Sequence, residues 1–525
     1  MKKILCVFLT VCFLTAVTLT PIKVLASETG HLEPSPKSTG EIRINLLVAA
    51  IDPTLTSLDG KPFWNGKNEI RASEYLGFSF DKSLSEWCAV FEEASHQTVK
   101  FNVVDKVIVD EFPKYKSIAS LDNESYQALF EKDAFGYGNT GGVFKQEYRQ
   151  YDTCGDLDYD YYVEKLDLVN RKNANEFDML YLIGIDPLSP FETCMVGNAP
   201  LWINGEGVIA DCDNFVIATV TFSRFDGSIE NIGHMAENML GYTYGAVPYA
   251  PGILDGTNYS ELNDWQKYCL CKFLATPETE TYGYGVVHFS PNSTSDYDWE
   301  NPDKVKYYKD WKNGTDVQEF SPDECYLDDP QFSYDRDPCI SHHRWWFYNM
   351  PYEDGRDEKG YFNNWWRYIF TPYYVTDLLH DKTLGPDISL AIGERVPLKF
   401  TVQYYGGKEI LTDPAESAAI VTVNGSDSFT CENGEIVGLK EGYGNVICSL
   451  DGKTVKYLVT VRDPAKAPAE TPDATSGNAS ENVPAEQTVA PSEGFQPLIV
   501  IILLAVLGIS IALVVFFIKI RRSKS

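Results

Sequence analysis

Residues 42–50 read Ile-Arg-Ile-Asn-Leu-Leu-Val-Ala-Ala, an apolar strand, and the same character recurs at residues 177–185 (FDMLYLIGI) and 215–222 (FVIATVTF). Runs this apolar are strands of the buried type. Val99–Val109 reads as a further strand, residues 86–95 as a helix, and residues 228–240 as a short helix with Gly241 as its C-cap. Strands mixed with helices predict an α/β or α+β fold for residues 40–380. Beyond about residue 275 the chain turns aromatic-rich and irregular, and no internal repeat is visible.

Outward from this region, both ends of the chain are membrane signals. Residues 1–26 hold Lys2 and Lys3, an apolar run, and Val24-Leu25-Ala26 before Ser27, the pattern of a secretory signal peptide cleaved after Ala26. Residues 498–518 are apolar and uncharged. At about 1.5 Å per residue they span roughly 30 Å, the thickness of a bilayer core. The tail, residues 519–525, holds Lys519, Arg521, Arg522 and Lys524 and stays in the cytoplasm. Residues 463–494, rich in Pro, Ala, Ser and Thr without an aromatic, cannot bury a core and read as a disordered stalk. The expected protein is a single-pass cell-membrane protein with its N-terminal ectodomain outside.

Charge narrows the partners. Forty-four basic residues stand against 75 acidic ones, a field that repels nucleic acid and anionic lipid and suits cations or neutral substrates. The same field also serves simply to keep an exported protein soluble. Ten of the twelve cysteines lie beyond the leader, an even number that permits disulfides in an exported chain, with Cys431 and Cys448 the expected pair. No CxxC pair exists, which removes support for a zinc ribbon or a thioredoxin motif.

Residues 384–462 read as all-β. Phe400, Val402 and Tyr404 alternate with polar neighbours, as do Val455, Tyr457, Val459 and Val461, and Asn424-Gly425, Asn433-Gly434 and Asp451-Gly452 mark turns. Three stretches bear a family likeness: Leu390-Ala391-Ile392-Gly393, Ala419-Ile420-Val421-Thr422-Val423, and residues 434–444 (GEIVGLKEGYG). They resemble the bacterial Ig-like domains of group 2 found in invasin- and intimin-like surface proteins. That resemblance implies a sandwich acting as a spacer or adhesion module, without chemistry of its own.

The strongest chemical constellation is residues 228–240. Glu230, His234 and Glu237 stand at i, i+4 and i+7 and fall within about 60° of one another on a helix. Carboxylates and an imidazole on one face can hold a divalent metal such as zinc. The zincin pattern is not met, because Glu230 stands where its first His would be and Asn231 where its catalytic Glu would be. An apolar face of Ile229, Ile232, Ala236 and Met239 lies roughly 130° away, so the stripe can equally be a solvated surface. His288, followed by the polar loop to Trp299, is a further candidate ligand. Glu192, in a loop after a buried strand, is a candidate catalytic base. The adjacent indoles Trp345, Trp346, Trp365 and Trp366 can form a stacking platform for a sugar ring.

These segments together resemble an exported bacterial family of uncharacterised function. The matching residues are Pro187 to Gly197 with Glu192 and Met195, Gly233-His234 with Glu237, His288, Pro291-Asn292, Asp296 to Trp299, Trp345-Trp346, and Asn363 to Trp366. The chain departs from that pattern at Glu230 and Asn349, where relatives have His. Two functions are therefore expected: surface binding or adhesion through the aromatic region, and, as the alternative, a metal-dependent hydrolase of a surface glycan or peptide built on the Glu230/His234/Glu237 helix.

Overall fold

Strand β1 (Ile42–Ile51) is buried along nearly its whole length, and the period of two sends alternate residues to two different cores. Ile42, Ile44, Leu46, Val48 and Ala50 join one hydrophobic cluster, while Leu47, Ala49 and Ile51 join another. A sheet covered on both sides follows. Its other strands are β2 (Val99–Val109), β3 (Met179–Gly184), β4 (Cys194–Gly197), β5 (Val208–Ile209) and β6 (Phe215–Thr221), in the order β2-β1-β3-β6-β4-β5. Strands β2, β1, β3 and β6 are parallel, and β4 runs antiparallel to β6. The computed structural model describes residues 40–116, 121–131, 157–184, 193–221, 225–245, 254, 258–275, 280–326, 337–425 and 427–466. The signal peptide, the apolar run 498–518, the basic tail, most of the stalk and Glu192 lie outside the described residues. No helix among the described residues is long and apolar enough to cross a membrane.

Three helices cover the first face. Helix α1 (Phe80–Ala94) is capped by Ser79, whose side chain accepts from the Lys82 N–H, and it buries Leu84, Trp87, Val90 and Phe91. Helix α2 (Phe225–Tyr244) follows β6, and helix α3 (Pro338–Tyr348) packs beside α2. Helix α2 outruns its expected limits at both ends. Gly241 is an interior, buried residue, and the left-handed glycine that follows the helix is Gly245, at φ +69°. The apolar contacts of Leu240 and its neighbours continue the helix past Gly241, overriding the local weakness of glycine. Mixed α/β architecture is thus the observed fold class.

The C-terminal part of the described chain is built of β-strands, with one short helical turn at Pro414–Ser417. Strand Val375–His380 pairs with Phe400–Tyr404, so this region begins slightly before residue 384. Three small sheets close around one core that includes Phe400, Val402, Val446, Val455, Tyr457 and Val459. Cys431 and Cys448 are free thiols in the structure, contrary to the expected disulfide. The region does not hang loose. The side chains of Arg356 and Asp451, both buried, pair at 2.7 Å, and the Tyr368 hydroxyl donates to the same carboxylate oxygen at 2.6 Å. The Arg356 guanidinium lies 3.5 Å above the Phe362 ring, and the Asp451 N–H donates to Gly360 O. Lys408 reaches Asp213 of the α/β region at 2.7 Å.

Candidate metal centre

Helix α2 is buried nearly all round, so the stripe expected to be either solvated or functional is not solvated. Glu230 is 5% exposed and Glu237 3%. What covers them is a tight turn. Val286 and Phe289 exchange both backbone hydrogen bonds, leaving Val287 and His288 at the tip. Gly285, at φ +79°, starts the turn; a Cβ there would meet Phe289 O at 2.0 Å. Gly233 lets the turn descend onto the helix, because a Cβ at that position would stand 2.6 Å from Val287 Cγ2. Side chains then fasten it: Trp346 Nε1 donates to Gly285 O, His342 Nε2 to Val286 O, and Trp299 Nε1 to Val287 O.

The turn delivers His288 to the helix. His288 Nε2 lies 3.1 Å from His234 Nε2 and 3.1 Å from Glu230 Oε1, and His234 Nε2 lies 3.8 Å from that same oxygen. Both imidazoles are oriented from behind by carboxylates. Glu237 Oε2 accepts from His234 Nδ1 at 3.0 Å, and Asp296 Oδ1 accepts from His288 Nδ1 at 2.9 Å. A carboxylate only accepts, so each Nδ1 carries a hydrogen and each ring turns its Nε2 inward. Two ring nitrogens and a carboxylate oxygen therefore converge on one point, and a proton or a cation held between them reconciles them. Burial opposes the charged forms of both Glu230 and His234. The facing groups outweigh it, His234 and His288 for Glu230 and the carboxylates of Glu230 and Glu237 for His234, holding the Glu230 carboxyl well below its ordinary range and raising His234 to about 10.

Glu230, His234 and His288 form a cluster whose donor atoms lie within 4.8 Å of one another. Glu237, expected as a ligand from helical spacing, stands behind His234 instead, and its other oxygen accepts the Val287 N–H at 2.8 Å. It thus ties the turn to the helix and fixes the imidazole, the usual second role around a metal. Asn231 turns away to Thr219 Oγ1. Two histidines in α3 add to the surroundings. Burial lowers His342 to about 3 and His343 to about 4, so both are neutral. His343 donates from Nδ1 to Cys339 O, and its buried Nε2 has no hydrogen-bond partner among the described residues.

A cavity of about 460 Å³ opens on the cluster, lined by His234, Glu237, His288 and Asp296 together with Trp202, Asn204, Asn238, Phe273, Val286 and Phe289. No lysine or arginine is among these residues. Trp202 is 53% exposed, and Phe273 stacks on Phe289 at 3.9 Å.

The expected sugar platform is corrected. Trp345, Trp346, Trp365 and Trp366 are all buried, so none offers a face to a ligand. Trp366 stacks with Phe347 and Phe370, and Trp365 Nε1 donates to the Tyr244 hydroxyl. They are the aromatic core between α2, α3 and the following strands. Sequence reasoning placed Asp296, Tyr297 and Gly233 in matching segments without assigning them a role, and did not single out Trp202. For Asp296 and Tyr297 the signal was the polar loop that follows His288.

No family model matches the chain, and no curated protein matches it. Among solved structures it is similar to domains 4 and 5 of the S-layer protein SbsC, at 19% identity over 17% of this chain and 53% of that one, with a TM-score of 0.15. It is also similar to the S-layer protein rSbsC(31-844), at 20% identity over 15% of this chain and 12% of that one, with a TM-score of 0.13. The chain spans about half the length of the first of these.

Proposed function

We propose that the chain is a metal-dependent hydrolase working at the cell surface, with Glu230, His234 and His288 as ligands of one divalent cation such as zinc. The observation that supports it is the spacing of the three converging ligand atoms, 3.1, 3.1 and 3.8 Å apart. Ligands about 2.0–2.2 Å from a tetrahedral ion stand roughly 3.3–3.6 Å from one another, so an ion fits with small adjustments. A cation with three protein ligands supplies a Lewis acid for an acyl or glycosidic oxygen, or acidifies a water. The cavity, with acidic groups and no basic ones, suits a neutral or cationic glycan or peptide and disfavours an anionic one. The role of base is open to Glu192. The β-strand region serves as an Ig-like spacer, and residues 498–518 as the membrane anchor of the externally facing chain.

Metal analysis of the full-length chain tests this reading. One zinc per chain is expected in the wild type after loading, and none in His234→Ala or His288→Ala. Retention of the metal in both variants, or its absence from all three proteins, sinks the proposal.

A second reading, glycan binding, draws on a different surface. The His96 ring lies between Tyr348, at 4.2 Å, and Tyr352, at 3.7 Å, and both tyrosines are exposed. They border a cavity of about 520 Å³ that also holds Asn349, Asn363, Lys309 and Lys312. Exposed rings beside amides suit a neutral sugar. Chitotriose titrated against the wild type and Tyr352→Ala by calorimetry separates the two: binding lost in the variant supports this surface, and no binding to either dismisses it.

A further inference from the structure

His234, Asn238 and Tyr242 stand at i, i+4 and i+8 along one side of α2, a stripe about 12 Å long. The first two line the cavity at the cluster, and Tyr242 carries the stripe past its rim. There it meets other rings. Its hydroxyl donates to Trp202 O at 2.8 Å. Its ring stacks on Tyr374, with centroids 5.6 Å apart, and Tyr374 stacks on Tyr405 at 5.4 Å. Rings in contact face to face stand about 3.5–4.0 Å apart, so these separations mean offset stacks in which part of each face stays uncovered. Trp202 is 53% exposed and Tyr405 41%, and Tyr242 and Tyr374 are partly exposed. This ribbon is fixed from both regions of the molecule. Trp202 sits in the loop between β4 and β5, which Asn214 holds through both backbone groups of Ala199 and Asn238 holds through Ile203 O. Tyr405 comes from the β-strand region, whose turn reaches that loop. Gly406, at φ +84°, passes so near it that a Cβ there would stand 2.3 Å from Ala199 Cβ. Rings fixed in advance lose little freedom when a ligand binds.

Resting on the metal-centre reading above for what happens at the cluster, we infer that Trp202, Tyr242, Tyr374 and Tyr405 bind a neutral glycan chain whose end enters the cavity at the metal ligands. A pyranose ring has an apolar C–H face that covers an aromatic ring, and a rim of hydroxyls that turn to donate where an acceptor stands. The surface suits such donors. Tyr242 commits its hydrogen to Trp202 O, and Asn238 commits both amide hydrogens, to Ile203 O and His234 O. Those side chains keep ring faces and an amide oxygen for a ligand. A peptide would lay fixed carbonyl oxygens on the same surface, and each one left unanswered weakens binding. An anionic chain would meet Asp296 with no basic residue in the cavity lining to offset it. A ribbon that runs on past the cavity suits a polymer better than a single sugar. It also gives the β-strand region a part in substrate capture, beyond that of a spacer.

The test is calorimetry on the full-length, zinc-treated chain with chitohexaose, cellohexaose and mannohexaose as neutral probes. At least one should bind the wild type, with affinity lowered by about tenfold or more in Trp202→Ala and in Tyr405→Ala. Both variants should keep the zinc content of the wild type. Tyr352→Ala, on the other aromatic surface, should bind as the wild type does. No binding of any probe to the wild type overturns the inference. So does an unchanged affinity in either ribbon variant, or a loss confined to Tyr352→Ala. Decaproline bound through Trp202 and Tyr405 in place of the sugars would make the ribbon a peptide site and overturn it too. A wild type that takes no zinc yet binds a hexasaccharide through these rings removes the metal reading and leaves the glycan surface standing.

Discussion

Two buried carboxylates in this protein keep opposite company. Asp451 receives donors from a guanidinium and a phenol, so its lone pairs are answered within the protein. Glu230 also receives a phenol, but its other neighbours are two imidazoles whose Nδ1 hydrogens are claimed elsewhere by Glu237 and Asp296. The first arrangement is closed and needs nothing more. The second is a set of groups aimed at one point, which a proton or a cation completes. Burial, carboxylate charge and aromatic neighbours are common to both. What separates structure from candidate chemistry is the direction of the hydrogens.

The largest effect is expected on the closed side. Arg356→Ala leaves Asp451 buried without its cation and should cost about 3–5 kcal/mol of unfolding free energy in urea, with zinc content unchanged. Loss of zinc in that variant would erase the distinction between the two clusters.

On the open side, Glu237→Gln keeps the shape but weakens the hold on His234 Nδ1 and the Val287 N–H. Zinc affinity should fall by about 10–100-fold in competition with a chelator, with little change in fold by circular dichroism. An unchanged affinity would mean that Glu237 does not orient the ligand. Gly233→Ala probes the approach of turn and helix. Its Cβ would crowd Val287 at 2.6 Å, and overpacking should cost about 1–3 kcal/mol in thermal unfolding while loosening zinc.

The smallest and sharpest effect is on pH. In the metal-free protein a proton stands in for the cation. The folded value of His234, about 10, is raised above its ordinary 6.5. Its stabilisation is therefore complete below about 6.5 and is lost as pH rises through about 10. Glu230, depressed in the fold, contributes above its ordinary carboxylate range and loses that contribution only in acid. The gap in Tm between zinc-loaded and chelator-treated protein should accordingly widen from pH 6.5 to 10. A constant gap would show that proton and metal do not share one site.

Much of the frame was legible in the chain. β1, β3 and β6 are apolar on both faces because both faces are covered, and a residue pattern records that directly. Alternation at Lys453–Arg462 marked a strand with one face turned to a core. The stripe on α2 was legible as a candidate, and His288 as its companion. Less legible were the ends of α2, where contacts around Leu240 outweigh the glycine at 241. The four tryptophans could not be assigned from sequence either, since an indole reads alike whether it faces a sugar or a core.

Local order along the chain therefore determined the strands, the helical stripe and the candidate ligands, because period and residue type act over a few neighbouring positions. Only tertiary structure decided which carboxylate faces the cluster and which stands behind it. That choice depends on a contact between residues fifty positions apart, made possible where Gly233 lets the turn at Val287 close on the helix. The hydrogens on His234 and His288 are set by partners that the turn brings into place, and with them the difference between a satisfied core and a site that calls for a metal.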